Sequence, residues 1–332
     1  MKKWIAIILF IIVFLIGLAV LLFYTPDIPL ETLKENYSIQ ESRLITVQWE
    51  MADGTELEID LHYLDFGDEK HPTIVLLHGM FSSAFTFVPW ANRLVEQGYR
   101  VLAIDLPYHG LSGGFLDQKT SIRRSAYAVH ALLKQLNVTN FVIGGNSMGG
   151  GVSWYYTSEF HQTDGVDVLG LVLIDSVFEG SGSQRQTIEP EWLARFVSQM
   201  TPKFLLRTLL EGAYGNQSVL RDDVLNRYSD LIRKEGYRYG LLTLIQEDSW
   251  IEVDAVSRMD LIRSHQIPVL LMWGKEDSWV PIDVGVALQN ALDVPEQRFI
   301  IYETLGHVPM EENPELTIID LIDFLNPIMI KE

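Results

Sequence analysis

The chain has 332 residues, of which 48% are hydrophobic and 21% are charged, a composition typical of globular proteins. Its formal net charge of −19 argues against nucleic acid as a partner, because phosphate binding requires clustered lysine and arginine, and it also disfavours electrostatic docking on anionic lipid. The chain has no cysteine, which excludes disulfides, thiolate metal sites, a cysteine nucleophile and a lipidated cysteine.

The chain begins with a long apolar segment. The range Trp4–Tyr24 carries no charge, and a helix of this length, rising about 1.5 Å per residue, spans the roughly 30 Å hydrocarbon core of a bilayer. Lys2 and Lys3 precede it, so the positive-inside rule places the N-terminus in the cytoplasm and the remaining chain outside it. A cleaved signal peptide is the alternative, but such peptides usually have about 7–15 apolar residues and a small-x-small site, which Phe23-Tyr24-Thr25-Pro26 does not supply. We therefore predict an uncleaved, single-pass membrane anchor over residues 1–24.

Short apolar runs alternate with amphipathic stretches after a polar connector, which is predicted at residues 25–42. The runs Arg43–Trp49 and Leu57–Tyr63 flank Asp53-Gly54 and predict a β-hairpin. Six further runs are almost wholly apolar, as expected for strands buried on both faces of a parallel sheet: Thr73–His78, Arg100–Asp105, Asn140–Gly145, Val168–Ile174, Ile267–Trp273 and Gln297–Tyr302. The stretches between them predict helices: Phe85–Gln97, Ser121–Leu136, Met148–Phe160, Pro281–Leu292 and Pro314–Leu325. This alternation predicts a doubly wound α/β fold.

One segment interrupts the alternation. Between Phe178 and about Ile262 there is no strand-like run, only helical patterns: Glu191–Met200, Lys203–Leu210 and Asp222–Lys234. A crossover between parallel strands needs only about a dozen residues or somewhat more. We therefore predict an inserted helical cap over residues 178–262, with the core formed by residues 43–177 and 263–332.

The pentapeptide Gly145-Asn146-Ser147-Met148-Gly149 matches the pattern G-x-S-x-G. It directly follows a predicted buried strand and precedes a predicted helix, a setting in which a sharp turn holds the serine in a strained conformation above the sheet. The flanking glycines let neighbouring backbone pass without a Cβ clash. The Ser147 hydroxyl then lies at the positive end of the helix, where the Met148 N–H can face a developing oxyanion. The motif in this setting predicts that Ser147 is a nucleophile.

Five segments, including this motif, carry a resemblance to a known family. In chain order they are His78-Gly79-Met80-Phe81, Asp105-Leu106-Pro107-Tyr108-His109-Gly110-Leu111-Ser112, the Ser147 motif, Trp273-Gly274-Lys275-Glu276-Asp277 and Gly306-His307-Val308-Pro309. In order and spacing the chain resembles the α/β-hydrolase family, in its capped, lipase/esterase-like branch, over residues 43–328. The resemblance implies an α/β-hydrolase fold, with an eight-stranded, mostly parallel sheet, helices on both faces and an inserted helical cap, here preceded by one transmembrane helix.

The resemblance also implies a catalytic triad. A serine hydroxyl needs a base to take its proton, and His307 lies in the Gly-flanked loop after the last predicted strand, where the family carries that base. Asp277 matches the family's acid, in the chain order Ser, Asp, His of the fold. Asp175, at the end of a predicted strand, is the alternative, because some relatives place the acid there. The His78-Gly79 pair and Asp105 are expected to be structural.

The family takes a second oxyanion donor from the loop after its His-Gly pair. Here this donor is expected to be the N–H of Met80, with Phe81 as the alternative, and it would act together with the N–H of Met148. No cofactor and no metal are expected, because acyl transfer by a triad requires neither and the acidic residues are not paired at ligand spacing.

Together these residues predict a serine hydrolase that cleaves carboxylic esters, of the lipase or monoacylglycerol-esterase type, through an acyl-enzyme on Ser147. Serine rather than aspartate at this position argues against haloalkane dehalogenase and epoxide hydrolase chemistry. Large apolar side chains in the predicted loop and cap are consistent with an acyl-chain pocket, although core packing must explain at least half of them: Met80, Phe81, Phe85, Phe87, Trp90, Phe178, Trp192, Phe196, Phe204 and Tyr214.

Two alternatives remain open for the function. Gly-Asn-Ser-Met-Gly-Gly also occurs in relatives that hydrolyse carbon–carbon bonds of ring-fission products, but those carry a Gly/Pro-rich loop where this chain has Met80-Phe81-Ser82-Ser83. A non-catalytic binding protein that retained the fold is the other alternative, although no triad residue is missing. The expected partners are a small ester or lipid substrate and a membrane, with no nucleic acid and no obligate protein partner.

Overall fold

Eight strands form one central sheet. The computed structural model describes residues 2–51, 54–117, 119–178, 191–246 and 254–329. The strands are β1 (Ser42–Glu50), β2 (Glu56–Phe66), β3 (Thr73–Leu77), β4 (Arg100–Ile104), β5 (Asn140–Asn146), β6 (Asp167–Ile174), β7 (Val269–Gly274) and β8 (Phe299–Tyr302). Their order across the sheet is β1-β2-β4-β3-β5-β6-β7-β8. β2 is antiparallel to both β1 and β4, and every other neighbouring pair is parallel.

The strands coincide with the predicted apolar runs to within a few residues at each end. Every residue of β3, β4 and β7 is buried, as expected for parallel strands covered on both faces. β1 and β2 pair as the predicted hairpin requires, with Glu50 opposite Glu56. Of its predicted turn, Asp53 lies outside the described residues. The predicted eight-stranded, mostly parallel α/β architecture is confirmed.

Helices cover the sheet on both faces. They are α1 (Lys2–Phe23), α2 (Leu30–Tyr37), α3 (Val88–Glu96), α4 (Ile122–Gln135), α5 (Met148–Phe160), α6 (Glu191–Ser198), α7 (Lys203–Ala213), α8 (Asp222–Ile232), α9 (Tyr237–Gln246), α10 (Ala255–Ser264), α11 (Ile282–Leu292), α12 (Pro309–Glu312) and α13 (Pro314–Met329). The predicted helix at Phe85–Gln97 is divided into a 3₁₀ turn, Ala84–Phe87, and α3. Pro89 explains the division, because proline lacks an N–H and fits the first turn of an α-helix.

The predicted connector at residues 25–42 is part of the folded structure. It contains α2, in which Leu33 is completely buried, and the Tyr37 hydroxyl donates to Asp230 of α8 at 2.7 Å. The sequence predicted only a polar connector here. Helix α2 leaves little apolar pattern because Leu33 is its one buried residue. The helix is stabilised by packing against α8 rather than by its own sequence.

Five helices, α6 to α10, lie between β6 and β7 in the part of this segment that the structure describes. Residues 179–190 and 247–253 of the predicted cap lie outside the described residues. α6 packs against α9 and α7 against α8, whereas α10 packs against the core helices α5 and α11. We therefore use "cap helices" for α6 to α9 only, so the proposed cap ends before the predicted boundary at residue 262.

Helix α1 is the apolar segment at the N-terminus. Its stretch Lys3–Phe23 has a mean hydropathy of 3.5 and is not buried against the rest of the chain, so it is long and apolar enough to cross a membrane. No flexible linker separates α1 from the folded part of the chain. The Thr25 N–H already donates to the Gln199 carbonyl at 2.9 Å, just after α6.

Candidate active site

Ser147 lies between β5 and α5, as the motif predicts. Its backbone has φ 55° and ψ −119°, a region that costs a non-glycine residue roughly 1–3 kcal/mol. The Ser147 N–H donates to the Ile174 carbonyl of β6 at 2.9 Å, which ties the turn to the neighbouring strand. Glycine is required at position 149, because a Cβ there would collide with the carbonyl oxygens of Leu77 and His78. Ser147 itself occupies the N-cap position of α5, at the positive end of the helix dipole.

His307 and Asp277 form a buried, hydrogen-bonded pair. The Nδ1 atom of His307 is 2.7 Å from Oδ2 of Asp277, and both side chains are almost completely buried. The second carboxylate oxygen of Asp277 accepts the backbone N–H groups of Trp279 at 2.7 Å and Val280 at 3.0 Å. These bonds fix the orientation of the carboxylate. With Nδ1 bonded to Asp277, Nε2 is the ring nitrogen of His307 that can accept a proton.

Asn146 connects the serine turn to the histidine loop. Its side-chain N–H donates to the His307 carbonyl at 2.8 Å and to the Ile174 carbonyl at 3.2 Å. The side chain is buried, so both bonds are shielded from water. This residue therefore joins the turn that carries Ser147 to the loop that carries His307, although the two are far apart in the sequence.

The loop after β3 forms a reverse turn beside Ser147. The Ser82 N–H donates to the Gly79 carbonyl at 3.2 Å, and Phe81 has a φ of 67°. A Cβ on Gly79 would lie 3.0 Å from the Cβ of Ser147, so glycine permits this close approach. The turn that carries Met80 and Phe81, the two alternatives for the oxyanion donor, therefore lies close to Ser147.

Comparison with known families identifies the family of this chain. Residues 72–314 match the family model described as alpha/beta hydrolase fold. The chain belongs to this family. It is a hydrolase of the α/β fold, and the expected family membership is confirmed.

Related hydrolases have names that indicate different substrates. A 2-hydroxy-6-oxononadienedioate/2-hydroxy-6-oxononatrienedioate hydrolase of Paraburkholderia phymatum is 26% identical over 283 residues, which are 82% of this chain and 92% of that protein. An esterase of Thermogutta terrifontis has a TM-score of 0.68 at 20% identity, covering 87% of this chain and 100% of the other. A membrane phospholipase A described as a bacterial virulence factor has a TM-score of 0.66 at 22% identity and covers 99% of both chains. At these identities the two structural likenesses establish the fold alone.

Asp175, the alternative acid, contacts a different part of this hydrolase site. It is completely buried, and its Oδ1 accepts the Gly274 N–H at 2.9 Å, while His307 is bonded to Asp277 instead. Burial, together with the charge of the nearby Asp277 carboxylate, raises the pKa of Asp175 well above its usual range. Asp175 therefore holds a proton to a higher pH than a free aspartate does.

A third buried carboxyl group supports the histidine loop of the hydrolase. Glu312 of α12 accepts the Gly306 N–H at 2.6 Å and the Asn216 N–H at 3.1 Å. Burial raises the pKa of Glu312, and the Asp277 charge adds to this effect. Sequence reasoning missed Glu312 and gave no role to Asn146. The signals present were an acidic residue soon after the histidine motif and a polar residue ending a buried apolar strand.

The residues expected to be structural form a polar network apart from the His307–Asp277 pair. His78 accepts the Leu106 N–H through Nε2 at 3.0 Å, and burial lowers its pKa. Asp105 accepts the Ala84 N–H at 2.6 Å and lies 2.7 Å from Nδ1 of His62. Burial by itself would raise the pKa of Asp105, but the His62 ring and these hydrogen bonds lower it to about 2.

An apolar cavity of about 380 Å³ approaches the site at Phe81. The Phe81 ring lies 6.2 Å from the Trp279 ring, and the Trp279 ring lies 5.1 Å from that of His307. Among the described lining residues Arg238 alone carries a charge. Its guanidinium is already bound to Asp27 and to the hydroxyl and carbonyl oxygens of Thr25, just after α1. Within the described ranges, no group of three or more histidine and carboxylate side chains could hold a metal ion.

Proposed function

We propose that this hydrolase cleaves carboxylic esters through an acyl-enzyme on Ser147. The observation that carries the proposal is the buried His307–Asp277 hydrogen bond of 2.7 Å, in a loop that Asn146 ties to the turn of the strained Ser147. A base oriented by a carboxylate, next to an activated hydroxyl, is the arrangement that acyl transfer requires.

In the proposed reaction the Ser147 oxygen attacks the ester carbonyl while Nε2 of His307 takes the hydroxyl proton. Asp277 holds the ring and stabilises the imidazolium that forms. The N–H groups of Met80 and Met148 stabilise the tetrahedral oxyanion, with a contribution of about 3–4 kcal/mol for a well-placed donor. His307 then gives the proton to the leaving alcohol. A water molecule activated by the same ring hydrolyses the acyl-enzyme and regenerates the serine.

Carbon–carbon bond hydrolysis is the second candidate, because the Paraburkholderia relative bears a name of that class. The name of its substrate is that of a dicarboxylate, and binding such an anion calls for an available cation. Arg238, the one charged residue among the described lining residues of the apolar cavity, is engaged by Asp27. The apolar cavity thus favours an ester with an uncharged acyl group.

Labelling with a fluorophosphonate probe tests the catalytic proposal. The wild-type chain should be labelled on Ser147 and should hydrolyse a soluble ester such as p-nitrophenyl butyrate, and the Ser147→Ala variant should do neither. Equal labelling of the two proteins, or no labelling of a folded wild-type chain, would contradict the proposal and would favour a non-catalytic binding protein. Turnover of a ring-fission dienedioate at a higher kcat/KM than any ester would favour the second candidate.

We also propose that α1 remains attached as a single-pass membrane anchor, with the N-terminus in the cytoplasm and the catalytic domain outside. A signal-peptide cleavage site is expected to be extended and accessible. The residues that follow α1 are instead hydrogen-bonded to the cap helices and the residues next to them. Mass spectrometry of a tryptic digest of the membrane-bound protein should find the peptide of residues 4–34 intact, between the cleavage sites at Lys3 and Lys34. Protease added to spheroplasts should digest the catalytic domain, and its protection would contradict the proposed orientation.

A further inference from the structure

The end of α1 is joined to the cap helices, not to the sheet. Arg238 of α9 donates to the Thr25 carbonyl at 2.8 Å and forms an ion pair with Asp27. Ile28 pairs as a β-bridge with Lys234, just after α8, and its N–H donates to the Arg233 carbonyl at 2.7 Å. The cap helices are therefore held at the point where α1 ends.

Two of the cap helices lie directly beside this end of α1. The ring of Phe204 in α7 packs edge-on against Phe23 with centroids 5.7 Å apart, and the ring of Phe196 in α6 stacks on Tyr24 at 6.4 Å. A bilayer crossed by α1 would therefore have its surface next to α6 and α7.

Arg195, Lys203 and Thr208 are exposed on α6 and α7, but six of the exposed side chains of these two helices are apolar. We call this set of exposed residues the α6–α7 surface: Trp192, Phe196, Val197, Phe204, Leu205 and Leu209. Trp192 is 67% exposed and Phe204 is 55% exposed, although each is large enough to be a major core residue. Clustered apolar side chains of this kind mark contact sites for proteins or membranes. The α6–α7 surface is continuous with the end of α1, so we infer that its partner is the membrane. Binding would rely on apolar contact, because the net charge of −19 opposes electrostatic binding to anionic lipid.

The apolar cavity is lined both by residues of the α6–α7 surface and by Phe81, which lies in the turn beside Ser147. Leu205 and Leu209 belong to the surface and also line the cavity, as do the buried Leu206 and Ile232. Its volume of about 380 Å³ is near the lower end of the range for ligand pockets, which suits one alkyl chain rather than two.

We propose that the α6–α7 surface docks on the bilayer that holds α1, and that the cavity receives the acyl chain of a single-chain membrane amphiphile, such as a monoacylglycerol, directly from that bilayer. The ester carbonyl would then emerge beside Phe81, next to Ser147. This assignment of substrate class and route rests on the proposed ester hydrolysis. The route is a property of α6, α7 and the cavity, so it can fail while the chemistry stands.

The experiment uses the full chain reconstituted in phosphatidylcholine vesicles that contain a monoacylglycerol. The variant with Trp192→Gln and Phe204→Gln removes surface contacts without touching the cavity lining. We expect its turnover of the vesicle substrate to fall by about tenfold or more, because two large side chains lose their apolar contact, while turnover of p-nitrophenyl butyrate in solution stays within about twofold. The matched control is Val286→Gln on α11, 42% exposed and away from the cap helices, which should leave both rates unchanged.

A second pair of variants tests the cavity by itself. Leu206→Phe should shift the preferred p-nitrophenyl ester toward shorter acyl chains and Leu206→Ala toward longer ones, because the first reduces the cavity and the second enlarges it. Wild-type turnover of the vesicle substrate by the surface variant, or an unchanged chain-length preference in both Leu206 variants, would overturn the proposal. Absence of turnover of every ester by the wild-type chain would instead show that the proposed chemistry is wrong.

Discussion

Asp277 and Asp175, two of the buried carboxyl groups near His307, make different hydrogen bonds, and this difference decides how each responds to amidation. Asp277 accepts three hydrogen bonds, one of them from the His307 ring. Asp175 has a raised pKa and bonds to the Gly274 N–H. A neutral amide has the shape and polarity of the protonated acid but cannot replace the ionised one.

Amidation of the two residues should therefore give unequal losses. Asp277→Asn should lower kcat by about 10⁴-fold, because it removes the charge that stabilises the imidazolium and favours the wrong tautomer of His307. Asp175→Asn should lower kcat by less than about tenfold, since the amide oxygen can still accept the Gly274 N–H. Steady-state hydrolysis of p-nitrophenyl butyrate measures both. A larger loss in the Asp175 variant would identify that residue as the acid.

Asn146 should act as a positioning residue. Asn146→Ala removes the bond to the His307 carbonyl and should reduce kcat by about 10–100-fold, because small displacements in an active site are costly. Asn146→Asp should be worse, since it places a carboxylate against the carbonyl oxygens of His307 and Ile174. Rates of fluorophosphonate labelling give the order, and an aspartate variant faster than the alanine variant would refute this assignment.

Among the elements, α12 joins the histidine loop to the cap helices through Glu311. This carboxylate is 6% exposed and accepts from Arg227 at 2.6 Å, from Tyr214 at 2.8 Å and from Tyr228 at 3.2 Å. All three donors belong to the segment between β6 and β7. A single buried carboxylate thus fixes the cap helices against the element that begins two residues after His307.

Loss of this carboxylate should loosen the cap helices selectively. Glu311→Gln leaves the partly buried Arg227 without its counter-charge, and we expect a loss on the order of 2 kcal/mol, below the full penalty for a buried pair. Hydrogen exchange should accelerate in α8 but not in β5. As a control, Arg93→Gln breaks an exposed ion pair with Glu315 and should change stability by less than about 1 kcal/mol. Equal acceleration in β5 would show global rather than local destabilisation.

The elements differ in how far the sequence alone could predict them. The strands and the serine turn follow from local patterns, namely apolar runs and two glycines around Ser147, and these predictions agree with the structure. Asp277 and His307 were assigned by resemblance; the structure shows that their side chains are hydrogen-bonded, and their catalytic roles are a proposal. The helix α2, the Glu311 contacts and the Arg238 junction were not predictable, because each depends on polar residues that are distant in sequence and leave no periodic pattern.

At the scale of the whole molecule, Lys234 links stability to pH. The side chain is buried, and its Nζ donates to the carbonyl oxygens of His109 and Ser112, in the loop after β4. Burial lowers its pKa to about 7, although the charge of Asp105 partly opposes this shift. In the unfolded chain the pKa of this lysine is about 10.4. At a pH between these two pKa values, Lys234 is therefore protonated in the unfolded chain and neutral in the folded chain.

Stability should therefore rise with pH between about 7 and 10, by at most about 1.4 kcal/mol per pH unit from this one group. The slope should disappear from that interval in Lys234→Met and persist in Lys134→Met, whose lysine is exposed. Urea unfolding of the detergent-solubilised chain, followed by tryptophan fluorescence at several pH values, gives the slopes. An identical pH dependence of the wild-type and Lys234→Met proteins would show that Lys234 does not cause the effect.

If α1 is the proposed membrane anchor, its direct attachment to the cap helices determines which membrane the enzyme can serve. A long flexible tether would let a catalytic domain reach neighbouring vesicles, but here Thr25 is hydrogen-bonded to Gln199 within two residues of the end of α1. With α1 in a bilayer, as proposed, the cap helices would stay at the surface of that bilayer. Hydrolysis is then expected in cis, on lipids of the membrane that carries the enzyme, and not in trans on vesicles that collide with it.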